Sequence, residues 1–260
     1  MKIVEGIEMK KYLTVILLWS LFAGIYANAE TIRADYKVSY GILGQIGTAK
    51  AVLKKEKRNY TIDIRLAATG LAKVLSGGRK ERHISKGHIE HGLMVSDLYQ
   101  VIKTHGKTVV NKEYHIDHRH KKVHKVYKKY KNGKLVSQEK STLDFYAKND
   151  LLTLYFNLDH AIKDKSKPYT YTFKAVGAER QKGKVTVIIP PKSRLPWYKK
   201  ELGAHAAWYA TAIIHQKIFS SKEGRLLLAV GKDGLTNKAV LKDVIFFGDI
   251  RAVRTKQGHL

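Results

Sequence analysis

From residue 30 onward the apolar positions recur every second residue, the period of a half-buried β-strand rather than a helix. In Arg58–Leu66 the side chains of Tyr60, Ile62, Ile64 and Leu66 share one face. The same alternation runs through Tyr36–Tyr40, Thr48–Leu53, Arg82–Ile89, Leu98–Lys103, Lys107–Ile116, Lys122–Lys129, Tyr169–Val176 and Gly183–Ile189. Gly41, Gly44 and the pair Gly77-Gly78 punctuate the early strands, and Leu71–Leu75 reads as a short helical turn. Pro190-Pro191 stops a strand because proline has no backbone donor for the ladder. Asn132-Gly133, set between Val126–Tyr130 and Lys134–Gln138, predicts a two-residue hairpin turn in which both central residues take positive φ. Trp208–Phe219 predicts a strand crossing the sheet, and Arg225–Val230, a turn at Asp233-Gly234 and Ala239–Gly248 predict a last hairpin.

One segment breaks the pattern. Leu151–His160 is apolar on all sides, and Asp150 stands where an N-cap belongs. It predicts a buried helix, the one helix expected with a full length. Neither a linker nor a low-complexity run divides the chain. The fold expected is mainly β, a single antiparallel curved sheet or partial β-barrel wrapped on one buried helix, over residues 30–260.

Residues 1–29 differ from the rest. Lys10 and Lys11 precede an apolar run, Tyr12–Tyr26, which ends in Ala27-Asn28-Ala29. A charged start, a short hydrophobic centre and an A-x-A site are the parts of a secretory signal peptide. The run is 15 residues, short of the roughly 20 that span a bilayer. These features predict cleavage before Glu30 and a periplasmic location. The chain has no cysteine, which excludes thiol chemistry and disulfides.

Charge narrows the partners. The net charge is +27, which attracts polyanions and anionic membrane surfaces, unless it reflects a proteome-wide bias. Export separates the protein from nucleic acid. Anionic lipid, glycolipid or polysaccharide are the expected partners, with peripheral contact to a membrane.

Several short motifs resemble a bacterial exported family known as domain of unknown function 3108. They are Tyr36-x-Val38-x-Tyr40-Gly41 with Gly47-x-Ala49, the block Ser85-x-Gly87-x-Ile89 with Leu98-Tyr99, the helix Asp150-Leu151-Leu152-x-Leu154-Tyr155, and the Gly224-to-Gly248 hairpin. The chain departs from that pattern in lacking a proline before Tyr99 and in its basic charge. The resemblance implies an envelope-located β-rich domain and carries no catalytic residues.

Candidate chemistry is sparse. His118, His120 and His124 would share a face if they lay on one strand, a spacing that can hold a metal. Arg119, Lys121, Lys122 and Lys125 crowd them, and adjacent cations disfavour a divalent ion. A solvated basic strand is the better reading, so no metal is expected. Between Tyr99 and Thr142 there are twelve Lys or Arg and three acidic residues, with Tyr114, Tyr127 and Tyr130 interleaved. That pattern fits either an anion-binding face or a lysine-protected sheet edge. Pro190–Tyr198 predicts a stiff loop in which Trp197 and Tyr198 either meet a ligand at a barrel mouth or plug one end of the core. No phosphate loop, nucleophile elbow or carboxylate pair is present. No catalytic residue and no cofactor is therefore expected.

The function expected is a non-catalytic periplasmic binding or envelope-maintenance protein. Its curved sheet would hold an amphipathic or anionic lipid or glycolipid, with Arg79, Lys80, Arg82, Lys192, Arg194, Trp197 and Tyr198 forming the ligand-binding rim. Two alternatives stand beside it. One is a structural module that binds an acidic envelope protein through the basic hairpin. The other is a metal-dependent hydrolase using His118, His120 and His124.

Overall fold

The computed structural model describes residues 29–215, 224–242, 244 and 248–259. The predicted leader lies outside these residues except for Ala29, as do Gln216–Phe219 of one expected strand and parts of Ala239–Gly248.

Fifteen strands among the described residues form one curved sheet. The first eight are β1 (Glu30–Tyr40), β2 (Gln45–Glu56), β3 (Asn59–Ala68), β4 (Lys80–Glu90), β5 (Leu93–His105), β6 (Thr108–Asp117), β7 (Lys122–Lys131) and β8 (Lys134–Thr142). Then come β9 (Asn149–Asp150), β10 (Tyr169–Val176), β11 (Lys184–Ile189), β12 (Trp208–Ile213), β13 (Arg225–Val230), β14 (Thr236–Leu241) and β15 (Ile250–His259). The helices are α1 (Gly70–Leu75), α2 (Leu151–Ala161) and α3 (Leu195–Leu202). The order across the sheet runs from β8 back to β1, then from β15 back to β9. Every pairing is antiparallel except that of the two-residue β9 with β10. The mainly β, curved single sheet expected from the sequence is the architecture observed.

Local chemistry explains the best-defined turns. Asn132 and Gly133 both take positive φ, 53° and 77°, as the two-residue hairpin between β7 and β8 demands. The helix expected at Leu151–His160 forms over Leu151–Ala161, and Asp150 caps it by accepting the Leu152 and Thr153 N–H groups. Helix α1 falls on the short helical turn expected at Leu71–Leu75, and α3 is a further helix where the sequence predicts a loop. The predicted loop around Trp197 is a helix in its second half, because Pro196 sits in its first turn, where the absent N–H costs nothing.

The sheet curls back on itself. Pairing of β5 with β6 begins only at Leu98 opposite His115. The preceding stretch of β5 is completed by the other end of the sheet: Ser96 donates its N–H to the Lys148 carbonyl at 2.9 Å. The Asn157 amide of α2 takes both backbone groups of Met94, at 3.1 and 2.8 Å. Gly177 allows a close approach at this seam. It has φ +97°, and a Cβ there would stand 2.6 Å from the Tyr99 ring. Strands β6 to β8 run on past this seam, and β8 is the exposed free edge.

Helix α2 lies inside the curl. Leu154 and Leu158 pack on Ala175, Val185, Val187, Trp208 and Leu228. Its other side meets Leu53, Tyr60, Ile62 and Met94 through Leu152 and Phe156. Tyr155 marks where the helix stops filling the interior.

Candidate functional site

Beyond Tyr155 the interior is open. A cavity of about 510 Å³ lies between the inward faces of β1–β3 and β13–β15. Tyr36, Val38, Leu66, Leu228 and Ile250 supply its bulk, but many inward positions carry small residues: Gly47, Ala49, Ala51, Ala68, Ala239 and Ala252. Small residues leave the space that larger ones would fill. At about 24 cal/mol per Å³ of unfilled cavity, a sealed dry void of about 510 Å³ would cost on the order of 12 kcal/mol, as much as the net stability of a domain. The volume is instead a compartment that meets solvent beside α1, where Ala72, Ser76 and the partly exposed Arg79 line it.

Polar groups sit at its two ends. At the inner end the Tyr36 and Tyr155 hydroxyls approach to 3.5 Å, and Tyr155 accepts the Thr236 N–H at 3.2 Å. Burial pushes the Tyr36 phenol far above its ordinary range, so it stays neutral. At the outer end Glu81 receives Arg79 at 2.5 Å, with His83 and Lys103 each at 3.3 Å. Burial opposes ionisation of Glu81, but the His83 and Arg79 hydrogen bonds and the Lys103 charge overcome it and hold the carboxyl at about 2.

The outer face of the same strands has the opposite character. A groove of about 730 Å³ is lined by Arg33, Lys50, Lys54, Arg65, Arg82 and Lys86, with Asp63 as the one carboxylate in its wall. Lys50 stands directly opposite Arg65, and Arg65 opposite Arg82. Like charges at paired positions destabilise a sheet. Asp63 offsets part of this by receiving Arg82 at 2.8 Å and Arg65 at 2.9 Å. Burial works to raise the Asp63 carboxyl, and the two guanidinium groups together bring it below its ordinary value.

The predicted rim does not assemble into one place. Arg79 lines the cavity, whereas Arg82 belongs to the outer groove and Lys80 is exposed at the start of β4. Lys192, Arg194, Trp197 and Tyr198 lie around α3. That helix packs on Tyr209, Leu227, Ala229 and Val240, the sheet face turned away from the cavity. Tyr198 is 5% exposed, bonded to the Thr211 hydroxyl at 2.5 Å, and so is part of the core. Trp197 neither plugs the barrel nor meets its mouth; it is 36% exposed with the Arg194 guanidinium 5.3 Å from its ring centroid.

The histidines also separate. His118 and His120 lie in the turn between β6 and β7, not on a strand face with His124. His120 pairs with Asp117 at 2.7 Å, and His124 with the Thr142 hydroxyl at 3.2 Å. His118 turns instead toward Asp97, at 3.0 Å. The cavity walls were the main feature missed. Its signal was present in Gly47-x-Ala49-x-Ala51, an alternation whose inward members are small.

No family model matches the chain, and no curated protein matches it in sequence. Among solved structures it is similar to the crystal structure of a beta-barrel-like protein of domain of unknown function DUF1849 from Brucella abortus. The TM-score is 0.49 at 12% identity, covering 90% of this chain and 99% of that one. These findings overturn the resemblance to domain of unknown function 3108, which no match supports. The residues that carried it are strand alternations, a helix cap and turn glycines, which any curved antiparallel sheet around a capped helix requires.

Proposed function

We propose that the protein is a non-catalytic binding or maintenance protein of the cell envelope that holds an amphipathic ligand by its apolar part. The observation that carries this reading is the compartment of about 510 Å³ with almost wholly apolar walls, reached beside α1. That volume lies within the roughly 300–1,000 Å³ of small-molecule sites. Arg79 at the outer end provides a cation for a phosphate or carboxylate headgroup. The basic groove on the reverse face of β1–β4 supports peripheral contact with an anionic surface. The leader-like residues 1–29 support action outside the cytoplasm, in the periplasm. The test is native mass spectrometry of the protein purified from its own cells, with lipid extraction of the same sample. A co-purifying lipid or glycolipid that is lost in Ala49→Phe is the expected result. A clean unliganded mass, together with no uptake of a fluorescent fatty acid, would sink the reading.

A second reading has its own observation. Strand β8 is a free edge exposed along its length, and Leu135 and Val136 are 51% and 53% exposed beside the lysines of the β7–β8 hairpin. This supports docking of an acidic envelope protein on that edge. Crosslinking should then capture such a partner with the native protein and not with Lys128, Lys129 and Lys131 changed to Glu.

A further inference from the structure

We propose that His88, Asp97 and His118 form a binding site for a divalent transition-metal ion of the zinc class. Three separate segments bring them together: His88 from β4, Asp97 from β5, and His118 from the β6–β7 turn. His88 Nδ1 lies 3.0 and 3.1 Å from the two Asp97 oxygens. His118 Nε2 lies 3.0 Å from Asp97 Oδ1. One ligand atom from each residue falls within 4.8 Å of the others.

A β-bulge creates the convergence. Lys86 pairs with Leu98 but Gly87 pairs with Ser96, so Asp97 is the extra residue. The bulge sends Ser96 inward, where its hydroxyl meets Asp150 at 2.5 Å, and sends Asp97 outward between two imidazoles. Re-aiming a side chain in this way is the usual use of a bulge beside a functional site.

The outer contacts suit a metal. His118 Nδ1 lies 2.8 Å from the Tyr146 hydroxyl, a partner that orients the ring. His118 Nε2 faces two acceptors, Asp97 Oδ1 and the Ser96 carbonyl, each at 3.0 Å. Without a metal that nitrogen must carry the ring proton. With one, the proton moves to Nδ1, where Tyr146 Oη accepts it, and the Nε2 lone pair turns to the ion. The His88 proton likewise moves from Nδ1 to Nε2. Neither ring is ionised in the exchange. Two imidazoles and a carboxylate leave one position of a tetrahedral ion for water. All three side chains are partly exposed, which provides an entry path.

Of the cations that crowd these histidines in the sequence, Lys125 is held away by Glu179 at 2.7 Å. Lys148, beside Tyr146, is likewise held by Glu90 at 2.9 Å.

The test uses the full chain freed of metal and titrated with zinc by calorimetry. One zinc per chain is expected. Affinity should fall more than tenfold in each of His88→Ala, Asp97→Asn and His118→Ala, and about tenfold in Tyr146→Phe. The paired change His120→Ala and His124→Ala should leave it unaltered. Ring-nitrogen NMR of the unmutated protein provides a second reading independent of variant folding. Zinc should shift His88 Nδ1 and His118 Nε2. Zinc uptake that survives His88→Ala with His118→Ala, or shifts confined to other histidines, would overturn the proposal.

Discussion

The two halves of the barrel interior are built on the same strands and are filled in opposite ways. In one half α2 enters, and among the described residues no buried side-chain nitrogen or oxygen is left without a partner. Asp150 Oδ2 receives the Ser85 and Ser96 hydroxyls at 2.5 Å and that of Thr153 at 2.9 Å, while Oδ1 receives two backbone N–H groups. In the other half no element enters among the described residues, and the inward positions of β2 shorten to Gly47, Ala49 and Ala51. Leu53, the next inward residue of β2, is already in the packed half. A step of two residues along one strand separates core from compartment. The difference lies in side-chain volume on a common backbone, so the two halves answer to different substitutions.

The packed half should show the largest response. Asp150→Ala removes a helix cap and leaves three buried hydroxyls without their acceptor, a loss on the order of 3 kcal/mol. Urea unfolding should reveal it as a lowered midpoint with an unchanged slope. Asn157→Ala should cost about 2 kcal/mol, because it strands the N–H and carbonyl of Met94 at a sheet seam. Hydrogen exchange at Met94 should speed up in that variant. If Asn157→Ala proves silent, the seam between β5 and α2 is not what holds the curl closed.

Legibility in the sequence follows the same division. Strands with an apolar inward face, the Asn132-Gly133 turn and the capped helix depend on neighbours in sequence, and they were readable. Strand β15 was not, because its inward residues are Ile250, Ala252 and Arg254. The last of these hides its charge against Asp233 at 2.6 Å. Without β15 the junction between β1 and the C-terminal strands is invisible, and with it the cavity between them. The His88, Asp97 and His118 cluster was equally hidden. It rests on a bulge and a turn, and neither leaves a periodic trace.

The open half should tolerate bulk at the expense of binding. Ala49→Phe or Ala239→Phe places a ring in unoccupied space, so stability should change by less than about 1 kcal/mol. Uptake of a fluorescent fatty acid should weaken more than tenfold, about 1.4 kcal/mol in affinity. The same enlargement at Ala175, in the packed half, should destabilise the fold. A fold that fails equally at both places would mean that the compartment is as closely packed as the core.

The smallest effect separates the halves by pH. Burial raises the Asp150 carboxyl, and its hydroxyl partners only partly counter this. Its contribution is full below the unfolded carboxyl pKa and is lost as pH rises through the folded value. Glu81, at the cavity's outer end, is held at about 2 against an ordinary 4.5. Its contribution is therefore full above roughly pH 4.5 and is lost as pH falls toward about 2. Arg79 and Lys103 are nearly half exposed, so solvent screening leaves about 1 kcal/mol of this at neutral pH. Glu81→Gln should thus flatten the acid limb of the stability profile and leave the limb above it intact. Asp150→Asn should do the reverse, removing the loss on the rising side. Both slopes follow from denaturant midpoints collected between about pH 2 and 7. If one substitution flattened both limbs, the two carboxyls would be titrating as a coupled pair, and the barrel interior would be a single electrostatic compartment.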